Sequence, residues 1–578
     1  MKMAFKLWGI VAAVAMIGFT FAACEGPVGP QGDRGDDGGP GDTGPGPELV
    51  VDINVNPTAD VIIGRSVTLT ASAVPGYAVV PTLVWEIYDE VSAERISLGI
   101  APRIFGGNAV EVIGLASGEA RILVTALGSG ADTVDEVVTV TVTGLAERFE
   151  GLHDEIAAIP GLPQLTLTAY GNEPIPPQVL DGFGGAPVEI TLRAGRPGVE
   201  LSLADDGSMF TVGNNVTLVL DGITLRGRLP NLEGPLVQVD EGGTLDMLAG
   251  SRITGNHSIA MLEGGGVLNF GTFIMRGEIY NNSSILGGGV ANAGTFIMHD
   301  GLIAYNFAVF GGGVANEGIF TMHGGMIYHN DAMDMGANTG EGGGVVNDGT
   351  FNMLGGLIYD NLARAGGGVA NFDAFSMHEG AVIRVNFASA GGGVVNFATF
   401  NMYAGAVISA NIAGDGGGVH NVNTFNMQGG AISQNTALGF MGAGGINNWG
   451  AGRTFRMSNG IIHGTDAPDG LGNVAGPAGM AVLDSGGAGT TAQRGTFDAD
   501  GEFEFIANLG TMINLTLEVV DGEIPPVSAS LPLAVFENLE RSADRALHED
   551  WTPERRRELP EEWFDIQVPS RGAFDRLR

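Results

Sequence analysis

From Gly264 onward the chain repeats one pattern of apolar and polar positions, roughly G-G-G-V-x-N-x-G-T-F-x-M-x-G-G-x-I-x-x-N. Its first apolar column is Val267, Val290, Val314, Val345, Val369, Val394, Val419 and Ile446, with spacings of 23, 24, 31, 24, 25, 25 and 27 residues. A second column pairs Phe with Met, from Phe273/Met275 through Phe351/Met353 to Phe455/Met457. Ile-x-x-Asn closes each unit, from Ile253/Asn256 to Ile432/Asn435, and the closing asparagine is lost near Thr465. Phe and Met stand two residues apart, so both face one side of a strand. Three short apolar groups in about 24 residues predict three short strands per coil of a solenoid. A coil buries about four large side chains, worth ~6–12 kcal/mol gross. Ordering its backbone costs more than that, at ~1–2 kcal/mol per residue. One coil therefore cannot fold alone, and stacking is obligatory.

Two asparagine columns accompany the apolar ones. The first is Asn269, Asn292, Asn316, Asn347, Asn371, Asn396, Asn421 and Asn448; the second closes the Ile-x-x-Asn unit. Both are expected at turns, where Asn tolerates positive φ and its amide can bond the equivalent amide of the next coil. The repeats resemble those of chlamydial polymorphic outer-membrane proteins and of pectate-lyase-like proteins more broadly. That resemblance implies an all-β chain built on a right-handed parallel β-helix, here spanning residues 166–525 with its cap.

Residues 48–144 follow another rhythm. Val50–Val55, Ser66–Ala73, Leu83–Ile87, Ala109–Ile113, Glu119–Ala126 and Val137–Val142 read as short strands divided by turn residues, which suggests a β-sandwich. The run Ile63-Gly64-Arg65-Ser66-Val67-Thr68-Leu69-Thr70-Ala71, the strand Val84-Trp85-Glu86-Ile87 and Gly118-Glu119-Ala120-Arg121-Ile122 resemble bacterial immunoglobulin-like group 2 domains. The resemblance implies Trp85 as the core tryptophan between the sheets. Residues 145–165 read as a linker with some helix, and 526–578 as a polar, partly helical tail.

The N-terminus changes the picture of where the chain resides. Lys2 and Lys6 precede an apolar run from Leu7 to Phe21, too short for a membrane span and typical of a signal peptide (1–23). Phe21-Ala22-Ala23-Cys24 resembles a bacterial lipobox, which implies a lipid on Cys24 and a membrane partner reached through it, at the outer membrane or cell surface. Cys24 is the sole cysteine, so no internal disulfide is possible. Within 24–47, residues 26–46 form seven Gly-x-y triplets and resemble bacterial collagen-like segments. An extended tether on a monomer and a trimerising stalk both remain open. The Arg34-Gly35-Asp36 tripeptide inside the tract follows from its composition.

Charge then excludes a class of partners. The formal charge is −38, and loss of the first 23 residues removes two lysines and no acid, giving −40. All remaining cations are arginine. Such a chain repels nucleic acid and anionic lipid head groups. Schiff-base and isopeptide chemistry are excluded by the missing lysines, and nothing in the sequence calls for a cofactor.

Candidate chemistry must sit on residues that vary between coils. Tyr280, Tyr328 and Tyr359 share an expected outward position from which rings would grip sugars. His299 and His323 follow the Met column on adjacent coils and make a weak metal candidate, interrupted by Leu354 before His378. The 31-residue spacing implies a loop around Asp331–Glu341, with Asp331, Asp334, Asn338 and Glu341 as binding candidates. Acids on the coils are scattered, with no carboxylate column of the kind a glycosidase pair needs. The sequence thus favours a surface adhesin or display scaffold that binds glycan or protein. A polysaccharide lyase or hydrolase on the same fold, and a structural surface-layer component, are the alternatives.

Overall fold

The computed structural model describes residues 52–475, apart from 75–81, 100–102, 106–107, 128–132, 160–162, 233, 259–263, 333–339, 440–441, 450–452, 465–466 and 468–469. Beyond 475 it describes only the backbone of a few short strands up to Val519. The signal peptide, Cys24, the collagen-like tract with Arg34-Gly35-Asp36, Asp334, Asn338 and the tail 526–578 lie outside the described residues. No helix among the described residues is long and apolar enough to cross a membrane.

The body is a right-handed parallel β-solenoid of about 11 turns, preceded by antiparallel and mixed β-sheets. One coil shows how the repeat folds. Val345–Asn347 forms a first wall, Thr350–Met353 a second and Gly356–Tyr359 a third. Alternation aims Val345, Phe351, Met353 and Ile358 into the interior, all with 0% exposure. From Phe307 onward a fourth wall appears, the two-residue strands Phe307–Ala308, Asp331–Ala332 and Leu362–Ala363 among them. Its buried residue is alanine in each of these, so the corner is narrow.

Register holds coil after coil. Phe273 pairs with Phe296, and so on to Phe425 with Phe455, so the phenylalanines form one buried stack. Their ring centroids lie 4.6–4.9 Å apart from Phe273 to Phe425, close to the spacing between strands. The same column continues upstream as Leu245, Leu218 and Ile190, so the solenoid begins before the repeat becomes explicit.

The glycine turn closes each coil. Gly342 takes φ +70°, and a Cβ on Gly343 would lie 2.5 Å from the Leu362 carbonyl and 2.6 Å from that of Gly367. Neither position admits a side chain without displacing backbone.

Both ends of the solenoid are capped. Residues 145–165, read as a linker, form helices Leu145–Glu150 and Leu152–Ala157. Their Leu145, Phe149, Leu152 and Ile156 are buried in the same core as the first coils. At the other end Phe503–Glu504 and Leu517–Val519 pair antiparallel with Thr454–Ile462, which stops further parallel addition.

Residues 52–143 form two sheets around one core. Strands Asp52–Val55, Ser66–Val74, Ala109–Gly114 and Ile96–Leu98 make one sheet. Thr58–Ile62, Val134–Thr143, Gly118–Leu127, Thr82–Ile87 and Arg103–Phe105 make the other. Trp85 lies between them with 0% exposure. Helix Glu90–Arg95 is an addition to the sequence reading; it starts where Asp89 accepts a hydrogen bond from the Ser92 amide at 2.7 Å. The sandwich meets the solenoid where the Arg65 guanidinium lies 4.6 Å over the Tyr170 ring.

Candidate functional surface

The asparagine columns are buried ladders. Asn269 donates to Asn292, and each member donates to the next as far as Asn448, over 2.7–2.8 Å. The first acceptor, Asn269 Oδ1, has no donor before it and stays unpartnered. These asparagines lie on strands and point inward, not at turns as expected. The second ladder also differs from expectation. Positive φ falls on the residue before each Asn: Asn281, Tyr305, His329, Asp360, Val385, Ala410 and Gln434. That ladder does not end at Thr465, because Asn435 donates to Asn473 over 2.9 Å. A 38-residue excursion hid this partner from the spacing. Both ladders are therefore spent on folding.

Two of the three candidate tyrosines, Tyr328 and Tyr359, are buried and do not offer a sugar-gripping face. Tyr328 has 0% exposure and Tyr359 7%, and their rings stack on each other at 5.0 Å and 6°. Tyr280 is half-buried beside them, and its burial pushes its hydroxyl pKa up. Stacked faces are occupied faces, so no sugar ring can lie on them. The outward rows of the third wall, including Leu302, Met326, Leu357 and Val382, close into a satellite cluster around these rings.

His299 and His323 do stand together on the surface, with rings 5.0 Å apart. Burial and the Arg276 charge both push the His299 pKa down. Among the described residues no three His, Cys, Asp or Glu side chains converge as metal ligands. His378 stacks on Tyr403 instead, at 4.6 Å. Of the loop candidates, Asp331 opens a fourth-wall strand and Glu341 bridges Phe310 and Ala365 across coils. They bracket the loop whose residues 333–339 lie outside the described set.

The acids are scattered with one exception. Asn316 pairs with Asn347, which puts the following residues, Glu317 and Asp348, on adjacent coils. Ala293 and Phe372 hold the flanking positions, so this is a pair and not a column.

A further surface is the outer side of the Phe/Met wall, whose residues form no invariant column in the sequence. Between the inward residues, seven successive coils present Thr272/Ile274, Thr295/Ile297, Ile319/Thr321, Thr350/Asn352, Ala374/Ser376, Thr399/Asn401 and Thr424/Asn426. None is charged, in a chain of net charge −38. Ile319 and Thr399 are exposed and the others half-buried. The two columns are about 7 Å apart across a strand and repeat every ~4.8 Å along the axis. Charges return at both ends. Asp246 is paired with Arg276 at 2.9 Å on one side, and Arg456 is exposed on the other. In the sequence this face is carried by the first and third positions of T-F-x-M, which vary between units while the inward Phe and Met repeat.

No protein-family model and no curated protein matches the sequence.

Proposed function

We propose that this chain is a cell-surface lipoprotein, held by a lipid on Cys24, whose solenoid displays a binding face for an extended neutral glycan. The observation that carries the reading is the charge-free outer side of the Phe/Met wall, seven coils long, on a strongly acidic chain. A neutral, hydroxyl-rich polymer laid along the axis loses little on approaching such a surface, whereas a charged ligand would leave its charge uncompensated. Threonine and asparagine at a fixed repeat offer hydrogen bonds at a fixed repeat, which suits a polymer over a small molecule. Isoleucine and threonine methyl groups between them offer apolar contact to sugar carbons. The sandwich of 52–143, in the reading of an immunoglobulin-like spacer, and the Gly-x-y tract lift this face from the membrane.

Two experiments test the halves of the proposal separately. An array of neutral and uronate polysaccharides probed with the chain lacking residues 1–24 is expected to show binding to neutral β-linked or α-linked polymers and not to uronate polymers. A preference for uronates contradicts the reading. Cys24→Ala is expected to move the protein out of the membrane fraction; retention there contradicts the anchor.

A further inference from the structure

Between the first wall and the glycine turn lies a corner that is apolar along most of the solenoid. Leu286 with Ala291, Phe310 with Ala315, and Ala365 with Ala370 fill it in a single buried cluster, together with Val346 and Val395. Glu341 interrupts the column once, in register between Phe310 and Ala365, and the pattern breaks again further on. Asp415 stands in register with Ala390, and His420 in register with Val395. Asn447 follows one coil later, in register with His420.

Asn447 is 1% exposed, and its Oδ1 has no hydrogen-bond partner. His420 Nδ1 is buried and equally unpartnered. Asp415 precedes Gly416, at which a Cβ would lie 2.9 Å from the His420 Cβ. Asp415 Oδ1 faces the chain where it passes Gly439 and Gly442, at which a Cβ would come within 2.9 and 3.1 Å of it. Each buried polar atom left without a partner costs about 1–3 kcal/mol. An apolar side chain fits this corner, as Val395 demonstrates one coil earlier. His420 and Asn447, neighbours in register with one unsatisfied atom each where apolar side chains suffice, call for a bound species.

We propose that Asp415, His420 and Asn447 form a site for a divalent transition-metal ion, with a carboxylate oxygen, an imidazole nitrogen and an amide oxygen as its protein ligands. An imidazole donor favours zinc-like ions over calcium or magnesium, which prefer oxygen alone. Three ligands leave positions for water, as in open zinc sites. A bridging water would satisfy Nδ1 and Oδ1 as well, but it would give no response to added metal.

The test is calorimetric titration of the chelator-treated full chain with zinc chloride, joined to thermal unfolding with and without zinc. One saturable equivalent and a raised unfolding temperature are expected. His420→Val, which installs the residue found at 395, is expected to weaken binding at least tenfold while unfolding no earlier than the metal-free parent. Asp415→Ala, matching Ala390, is expected to weaken it too. The double variant His299→Ala/His323→Ala is expected to bind as the parent does. No saturable binding, unchanged binding in His420→Val, or loss of binding in the His299/His323 variant instead would each overturn the proposal.

Discussion

At the scale of single residues the solenoid spends its polar side chains on itself. Asn347 accepts from Asn316 at 2.7 Å and donates to Asn371 at 2.8 Å, with 0% exposure. Asn347→Ala takes the donor from the Asn371 Oδ1 and from the Gly349 and Ala374 carbonyls, and should cost about 2–4 kcal/mol. Asn347→Asp should cost more, because a buried carboxylate faces the Asn371 acceptor and brings an unpaired charge. Urea unfolding of the two variants checks both the loss and its order. Val385 poses the opposite case. It takes φ +59°, a conformation poor for a β-branched residue, at the place where an earlier coil carries Asn281. Val385→Asn should stabilise by about 1 kcal/mol, read as a higher urea midpoint. The ladders were legible in the sequence because Asn recurs in every unit. The strained position was not, since Asn, Tyr, His, Asp, Val, Ala and Gln all occupy it.

At the scale of elements, three walls followed from Val, Phe/Met and Ile, and the fourth did not. Its strands are two residues long with alanine inward, as in Leu362–Ala363, so they lack a large apolar residue to announce them. The helices that cap the solenoid were half visible. Helix was expected there, but its docking was not, because Phe149 and Ile156 show their partners only in three dimensions. This cap also carries an acid–base liability. Glu173 Oε2 accepts the Leu145 amide at 2.8 Å, and burial lifts its carboxyl from 4.5 to about 7, with Glu147 adding to the rise. A raised carboxyl pKa in the folded state means that stability falls as pH climbs past 4.5 and levels off above about 7. Glu173→Gln keeps the acceptor and removes the charge. It should gain on the order of 2 kcal/mol over the parent at pH 8 and little at pH 4, so the gap between their unfolding midpoints widens with pH.

At the scale of the whole molecule, the fold was legible because an obligatory stack repeats its inward residues. The proposed binding face was less so, because it is made of outward residues that need only avoid charge. Thr350, Asn352, Ala374 and Ser376 differ in type and share only their places around the Phe and Met of each unit, and register puts them side by side. The candidates singled out by residue type, Tyr328 and Tyr359, turned out to fill a buried cluster. The seven uncharged coils span about 29 Å at ~4.8 Å per coil. A neutral oligosaccharide series that binds there should gain affinity with length until it covers that span, then level off. Charges placed mid-face, as in Thr321→Glu/Asn352→Glu/Ser376→Glu, should remove binding while leaving the inward ladder and the fold intact. The deciding measurement is the affinity of the parent and of this triple variant for such a series, with circular dichroism confirming that both are folded. Length-dependent binding in the parent and its loss in the variant is the predicted result; equal binding by the two would contradict the account.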